Sequence, residues 1–529
     1  MILQLPRVFI ALHLRSGEYG RFDPRTLSPF NNGNHIHILR RVWLKHQSSL
    51  ATPAECARTE TCLLPPYRQT IPGRPDKPRS VWGNDINIRL ISTVKTLKPC
   101  PAHWYHKEHF ETENIRIDIC LPIKRPKSPF SREVTMRSIV LSTLLIASCL
   151  AWTPYNFTSL YPFYNQQLRT MLGAIDYTGG KFPVATTTSG SWAGGTLSDQ
   201  STWGANYGPG AAWLMYELTN DTYWQNTAQT LQDYFAPNQY RNTSHDVGMI
   251  LMTTFGNCYR LTGNTSIPQI LRNGADSLTT RFDPYVGLMK SWSTRAGTYQ
   301  VIADNMMNLE LFMKVYLLTN ETSYLNLALT HARNTIKWFV RPDFGSFHVL
   351  DMSQTDARPL VRGTQQGYSA GSTWTRGHAW FVYAFSFMYQ HTQLPEFLTA
   401  VQGITQYWID RQLPGPDGVY VPVWDFDDPT PNKPRDTSCA GALAVGLLRL
   451  ASLQNDTINN VYFQKADALL QQLSQPPYLN TTSNWQSILQ QGSRDVPANN
   501  QNTGISWGEY YYLEAIVAYN KMVAAYQSK

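Results

Sequence analysis

Cysteine is scarce in this chain, with seven in 529 residues, and four of the seven precede residue 136. Only Cys258 and Cys439 lie beyond Cys149, so a disulfide scaffold does not hold the main body together. Cys56 and Cys62 lack a second close pair and the histidines are scattered, which leaves no zinc-binding spacing. The apolar run Ile139–Leu150 has twelve residues, too few to cross a bilayer. Positive charge is missing from the body as well. Residues 1–135 carry 21 Lys+Arg against 11 Asp+Glu, and the rest of the chain carries 24 against 26, so the net +8 belongs to the front. No nucleic-acid or membrane surface is expected on the main body.

The border between the two regions has its own grammar. Met136-Arg137 opens a short basic start, the apolar run follows, and Cys149-Leu150-Ala151 places small residues at the −3 and −1 positions of a cleavage site. This is the layout of a secretory signal peptide over residues 136–151. A buried core helix at 139–150 and a bacterial lipoprotein box at Ile146-Ala147-Ser148-Cys149 are the other readings. The signal-peptide reading implies translation from Met136, a secreted body at 152–529, and a non-native or disordered extension at 1–135. The extension is rich in Pro and Arg and has no sustained apolar period. Seven Asn-x-Ser/Thr sequons, at Asn156, Asn220, Asn242, Asn264, Asn320, Asn455 and Asn480, all follow residue 136 and suit the same route.

What the body does contain is a repeated turn. MYELTNDTYW (215–224), CYRLTGNTSI (258–267), VYLLTNETSY (315–324), MYQHTQLPEF (388–397) and, more loosely, LASLQNDTIN (450–459) each end one amphipathic run and begin another. Asn and Gly accept the left-handed backbone that closes a helix, and Asp, Ser or Thr caps the next one. Reading outward gives helices near 208–219 and 222–236, 246–262 and 266–280, 302–318 and 322–339, 376–392 and 395–412, and 438–453 and 459–473. Further helical patterns lie at 159–173 and 507–526. Six antiparallel pairs describe an all-α (α/α)6 barrel of helical hairpins, although an open solenoid shares the same local pattern.

The chemistry-bearing residues recur at equivalent places. His245-Asp246, Asp304-Asn305, Trp374-Thr375-Arg376 and Arg435-Asp436 each stand at or just before the first helix of a hairpin. In a closed barrel those helix N-termini meet on one rim, whose dipoles favour an anion. An acidic sugar fits there, with Arg376 or Arg435 as a fork for its carboxylate. Trp203, Tyr207, Trp292, Trp374, Trp380 and Trp424 offer rings for sugar stacking. Each residue also has a plainer reading. The two aspartates can be N-caps, the arginines rim ion pairs, His348 a packed imidazole, and Trp380 part of the core.

Longer motifs then converge on one family. IADNMMNLELF (302–312), FHVLDM (347–352), QGYSAGSTWTRGHAWFVYAF (366–385), VWDFDDPTPNKPRDTS (423–438) and WGEYYYLEAI (507–516) resemble the unsaturated glucuronyl hydrolases of glycoside hydrolase family 88. HDVGMILMTTFGNCYRLTG (245–263) and WGANYGPGAAWLMYELT (203–219) extend the resemblance, which covers about residues 155–527. It implies the (α/α)6 barrel, Asp304 of the DNMMN motif as general acid and base, and Asp246 as the second essential carboxylate. It also implies substrate contacts from His245, His348, Gln366, Trp374, Arg376, Trp380 and Trp203. Gly377-His378 departs from the family's usual Gly-Gln.

The implied substrate is an oligosaccharide with a 4,5-unsaturated uronic acid at its non-reducing end, hydrated at C4=C5 without a metal or other cofactor. A rhamnogalacturonyl hydrolase of the same fold and a silent sugar-binding barrel are the alternatives. An acid for this task needs a raised pKa, which burial and a neighbouring carboxylate favour and a helix N-terminus opposes.

Overall fold

The computed structural model describes residues 152–528, except 175–176, 178–179, 197–201, 293–297, 413–419, 455–457 and 480, together with four short strands upstream. The chain divides into two compact units, Met1–Trp152 and Thr153–Lys529. In the first unit, Val8–His13, Asn87–Ile91, Lys107–Thr112 and Ile115–Cys120 form a four-stranded sheet in which the Val8 and Ile115 strands run parallel. Residues 136–151, the expected signal peptide, lie outside the described residues.

The second unit is built from helical pairs. After α1 (Tyr161–Gly173), α2 (Tyr207–Thr219) turns into α3 (Thr222–Gln232). A rod made of Val247–Leu251, a π-turn at Met252–Gly256 and Asn257–Thr262, together α4, turns into α5 (Ile267–Thr279). A 3-10 turn at Ala303–Asn308 leads into α6 (Leu309–Thr319), which is followed by α7 (Thr322–Phe339). Then come α8 (Thr375–Thr392) with α9 (Pro395–Gln412), α10 (Thr437–Ser452) with α11 (Val461–Leu473), and finally α12 (Ser506–Gln527).

The recurring turn works as its chemistry predicts. Asn220, Gly263 and Asn320 close α2, α4 and α6 in the left-handed conformation, at φ 56°, 66° and 62°. Asp221 then caps α3 by accepting the N–H of Tyr223. Gln393 takes the same left-handed position after α8, at φ 54°, although Gln is less tolerant of it. The fifth turn differs, since Leu453 after α10 keeps φ −86°. The helix expected over 222–236 ends at Gln232 and tightens to 3-10 geometry, because Pro237 supplies no N–H and its ring blocks a continuing α-turn.

Burial sorts the helices into two rings. α5 buries Ile267, Leu271, Gly274, Ala275 and Leu278, one stripe at helical spacing, as an outer helix should. α10 is buried continuously from Thr437 to Leu448, as only an inner helix can be. Its small residues let inner helices touch backbone to backbone: a Cβ on Gly441 would lie 2.4 Å from the Tyr512 nitrogen, and one on Gly446 2.9 Å from the Val382 carbonyl carbon. The ring closes where α12 packs on α2 and where Tyr164 of α1 meets Tyr512 of α12, hydroxyl to hydroxyl at 2.8 Å. Closure separates a barrel from a solenoid, and it gathers the inner N-termini at one mouth.

Loops at that mouth carry the small sheets. Tyr299–Ile302 pairs antiparallel with Val349–Met352, which pairs with Pro359–Gly363. The FHVLDM alternation is therefore a strand that brings His348 to the edge of the mouth.

Candidate active site

Asp246 and Asp304 stand at neighbouring inner N-termini. Asp246 immediately precedes α4, yet its side chain does not cap that helix. One carboxylate oxygen accepts the hydroxyl of Ser244 at 2.5 Å, and the other lies 3.2 Å from His245 Nε2. Asp304 sits one residue inside the 3-10 turn and leaves capping to others. The plain N-cap reading therefore holds for neither.

The DNMMN motif explains how Asp304 is held. Asn305 accepts the N–H of Ile302 at 3.3 Å, donates to the carbonyl of Met289 at 2.8 Å and also accepts from Ser291 Oγ. Asn308 accepts the N–H of Met249 on α4 at 2.9 Å. At this crossing a Cβ on Gly248 would fall 2.6 Å from the Asn308 Cα, so the turn and α4 pack backbone on backbone. Both asparagines are spent on structure, and the aspartate between the strand and the helix is left for chemistry.

Two rings face Asp304. Trp380 of α8 is buried and donates its indole N–H to Oδ1 at 3.2 Å. His348 Nε2 lies 4.0 Å from Oδ2, and its Nδ1 pairs with Thr364 Oγ1 at 2.9 Å. Burial, helped by the charge of Arg376, pushes the His348 pKa down to about 3, so this imidazole is neutral at physiological pH. Oδ2 of Asp304 is buried without a hydrogen-bond partner among the described residues. Burial pushes the Asp304 carboxyl up to about 7, against the lowering charge of Arg376 and with a further rise from Asp246. Desolvation thus outweighs the helix terminus, and a large protonated fraction persists near neutral pH.

The other expected contacts line the same mouth. His245 is buried against Trp292, ring centroids 5.2 Å apart, and burial lowers its pKa. Trp374 stacks on His348 at 4.1 Å and lies 4.4 Å from the Arg376 guanidinium. Gln366 leaves its buried Oε1 unpaired among the described residues. Trp203 packs on Trp507 at 4.6 Å.

Arg376 is placed differently from an open carboxylate fork. It is 1% exposed, and it donates to Asp436 at 2.8 Å, Ser438 Oγ at 3.1 Å, and the carbonyls of Ser493 and Arg494, both at 2.6 Å. It ties α8, α10 and the loop before α12 together beneath the mouth. Arg435 turns its NH1 to the Val421 carbonyl at 2.9 Å and lies outside the cluster around Asp304. Sequence reasoning missed Ser244 and the carbonyls of Ser493 and Arg494, because a lone serine and main-chain oxygens leave no pattern.

No family profile matches the chain. It is 32% identical over 320 residues to an unsaturated glucuronyl hydrolase of Formosa agariphila, covering 59% of this chain and 79% of that protein. The chain belongs to the unsaturated glucuronyl hydrolases of glycoside hydrolase family 88. An unsaturated glucuronyl hydrolase of a Bacillus species is 26% identical over 363 residues, 66% of this chain and 93% of the relative. A crystal structure of a heparin-specific unsaturated glucuronyl hydrolase superposes with a TM-score of 0.64 at 30% identity, covering 70% of this chain and 99% of that one.

Proposed function

We propose that this protein removes 4,5-unsaturated glucuronic acid from the non-reducing end of lyase-generated oligosaccharides, with Asp304 as the proton donor and acceptor. The observation that carries the assignment is the Asp304 carboxyl, buried, raised to about 7 and with one oxygen unpaired. The C4=C5 bond is a vinyl ether, and its π electrons take the Asp304 proton at C4. The positive charge then rests on C5 and the ring oxygen. Water adds at C5 and returns its proton to the Asp304 carboxylate. The resulting hemiketal opens to a ketone, and the anomeric centre expels the remaining sugar. Asp246, fixed by Ser244 and beside His245, holds negative charge next to the developing cation.

The Trp380 indole keeps Asp304 oriented, and Trp374, Trp203, Gln366 and neutral His348 furnish the surface for the sugar ring. Arg376 contributes through the loop it holds and through its field on Asp304. The chain's route is proposed to be secretory, with processing near Trp152. Incubation with unsaturated uronyl disaccharides tests the activity. Hydration destroys the conjugated alkene, so its ultraviolet absorbance must fall. A constant absorbance with chondroitin-, heparin- and pectin-derived substrates would remove the enzymatic reading, and a fall with the pectin-derived substrate alone would favour the rhamnogalacturonyl alternative.

A further inference from the structure

His348 is tied to the turn that carries the acid. Its carbonyl accepts Ala303 N–H at 2.9 Å, one residue before Asp304. On its other side Val349 pairs with Gly363, so His348 and Thr364 are the next residues out along that antiparallel pair. Trp374 covers the imidazole with ring centroids 4.1 Å apart and planes at 28°. Stacking fixes the plane of the ring, but not which of its two nitrogens bears the proton.

Three groups of the turn after Gly363 decide that. Gln365 N–H points at His348 Nδ1 from 3.4 Å, and a backbone N–H can only donate, so Nδ1 presents its lone pair. Thr364 Oγ1 lies 2.9 Å from the same nitrogen and therefore gives it the hydroxyl proton. The hydroxyl oxygen in turn accepts Gly367 N–H at 2.8 Å, which leaves its own proton for the ring. A neutral imidazole has one N–H, and here it stands at Nε2, the nitrogen 4.0 Å from Asp304 Oδ2. At that distance Nε2–H does not bond Oδ2 itself.

The turn closes directly on the hydroxyl, since a Cβ on Gly367 would fall 2.6 Å from Thr364 Oγ1. Beyond it the loop has its own anchor. Buried Asp425 accepts Tyr368 N–H at 2.8 Å and Ser372 Oγ at 2.7 Å, so the path of the chain does not hang on Thr364 alone. We propose that Thr364 is a positioning residue: its hydroxyl holds His348 Nδ1 as an acceptor, so the ring meets the bound uronic acid only as a donor, through Nε2–H, and never as a base. The acceptor is an oxygen of the sugar on the side of Asp304, and the proton of the attacking water is left to the Asp304 carboxylate. The proposal rests on the hydrolase reading for what Nε2–H donates to, but not for the state of the ring.

The ring is read first, by nuclear magnetic resonance of isotopically labelled histidine nitrogens, without any turnover. The His348 signals are identified by their loss in His348→Ala. At neutral pH they should show a single form, with the proton on Nε2 and none on Nδ1, rather than the mixture of a free ring. Thr364→Val deletes the hydroxyl, and the Nδ1 resonance should move toward that of a lone pair without a partner. On an unsaturated disaccharide its kcat/KM should fall by about two- to tenfold, the equivalent of one neutral hydrogen bond. Thr364→Ser, which returns the hydroxyl, should recover most of that loss. Because Thr364 works through the ring, Thr364→Val should cost little more in a His348→Ala background. Thermal melting checks that each variant is folded, and the wild-type resonances decide the ring if Thr364→Val is not. A proton on Nδ1, or an Nδ1 resonance untouched by Thr364→Val, overturns the proposal. Equal losses from Thr364→Val with and without the imidazole also overturn it, because Thr364 would then serve the loop alone. An Nε2–H ring in a protein that turns over no unsaturated disaccharide would leave the ring assignment standing and remove the hydrolase reading.

Discussion

Trp380→Phe tests the electrostatics of the acid directly. The indole N–H reaches Asp304 Oδ1 at 3.2 Å and stabilises the carboxylate, while the ring packs 5.3 Å from that of Tyr511. Phenylalanine keeps much of the packing and deletes the donor. A hydrogen bond to a charged group contributes ~1.5–3 kcal/mol, and this long one belongs near the lower limit. About 1.4 kcal/mol corresponds to one pKa unit, so the carboxyl should rise by about one unit from its value of about 7. The donor form of Asp304 is the protonated one, so activity falls as pH rises through that pKa, and raising the pKa extends activity to higher pH. The assay is kcat/KM for an unsaturated disaccharide across about pH 5 to 9, followed by loss of alkene absorbance. The alkaline limb should move up in Trp380→Phe, whatever happens to the plateau. A limb that stays put or moves down would refute the reasoning, as would wild-type activity that climbs with pH through neutrality.

Other outcomes follow from the same geometry. Asp304→Asn should lower kcat by at least ~10²–10⁴-fold with disaccharide binding largely kept, measured by turnover and by calorimetry; an active variant would move the acid role elsewhere. Arg376→Met should cost about 3–5 kcal/mol in urea unfolding, because it strands the buried Asp436 carboxylate, and an unchanged midpoint would show that the pair is dispensable. Asp246→Asn removes a charge that raises the Asp304 pKa, so any residual activity should have its alkaline limb shifted down. Peptide sequencing of the exported protein should begin near Trp152, and a peptide from residues 1–135 in it would refute the secretory start.

The repeated turn was legible in the chain because its cause is local. Asn220, Gly263 and Asn320 need only their own backbone to enter the left-handed region, and Asp221 caps the helix that begins at the next residue. Apolar spacing separated helices from loops for the same reason. Pro237 shortened one helix by a rule that a single residue carries. Motif resemblance marked Asp304, but it did not say what the two asparagines beside it do. Their partners, Met289 and Met249, are set by contacts between elements. Arg376 illustrates the limit from the other side. Its place at a helix start was readable, while its commitment to Asp436 and to carbonyls more than a hundred residues away was not.

By itself the amino-acid sequence determined the helical pairs, their turns and the identity of the acidic residues, since periodicity, capping and backbone sterics act over a few neighbours. Tertiary structure alone decided that the ring closes, through α12 against α2 and Tyr164 against Tyr512, and so that Asp246 and Asp304 share one mouth. It also decided that the Asp304 carboxyl is raised to about 7. A pKa depends on how much water the fold removes and which charges it brings near, and those are sums over residues distant in the chain.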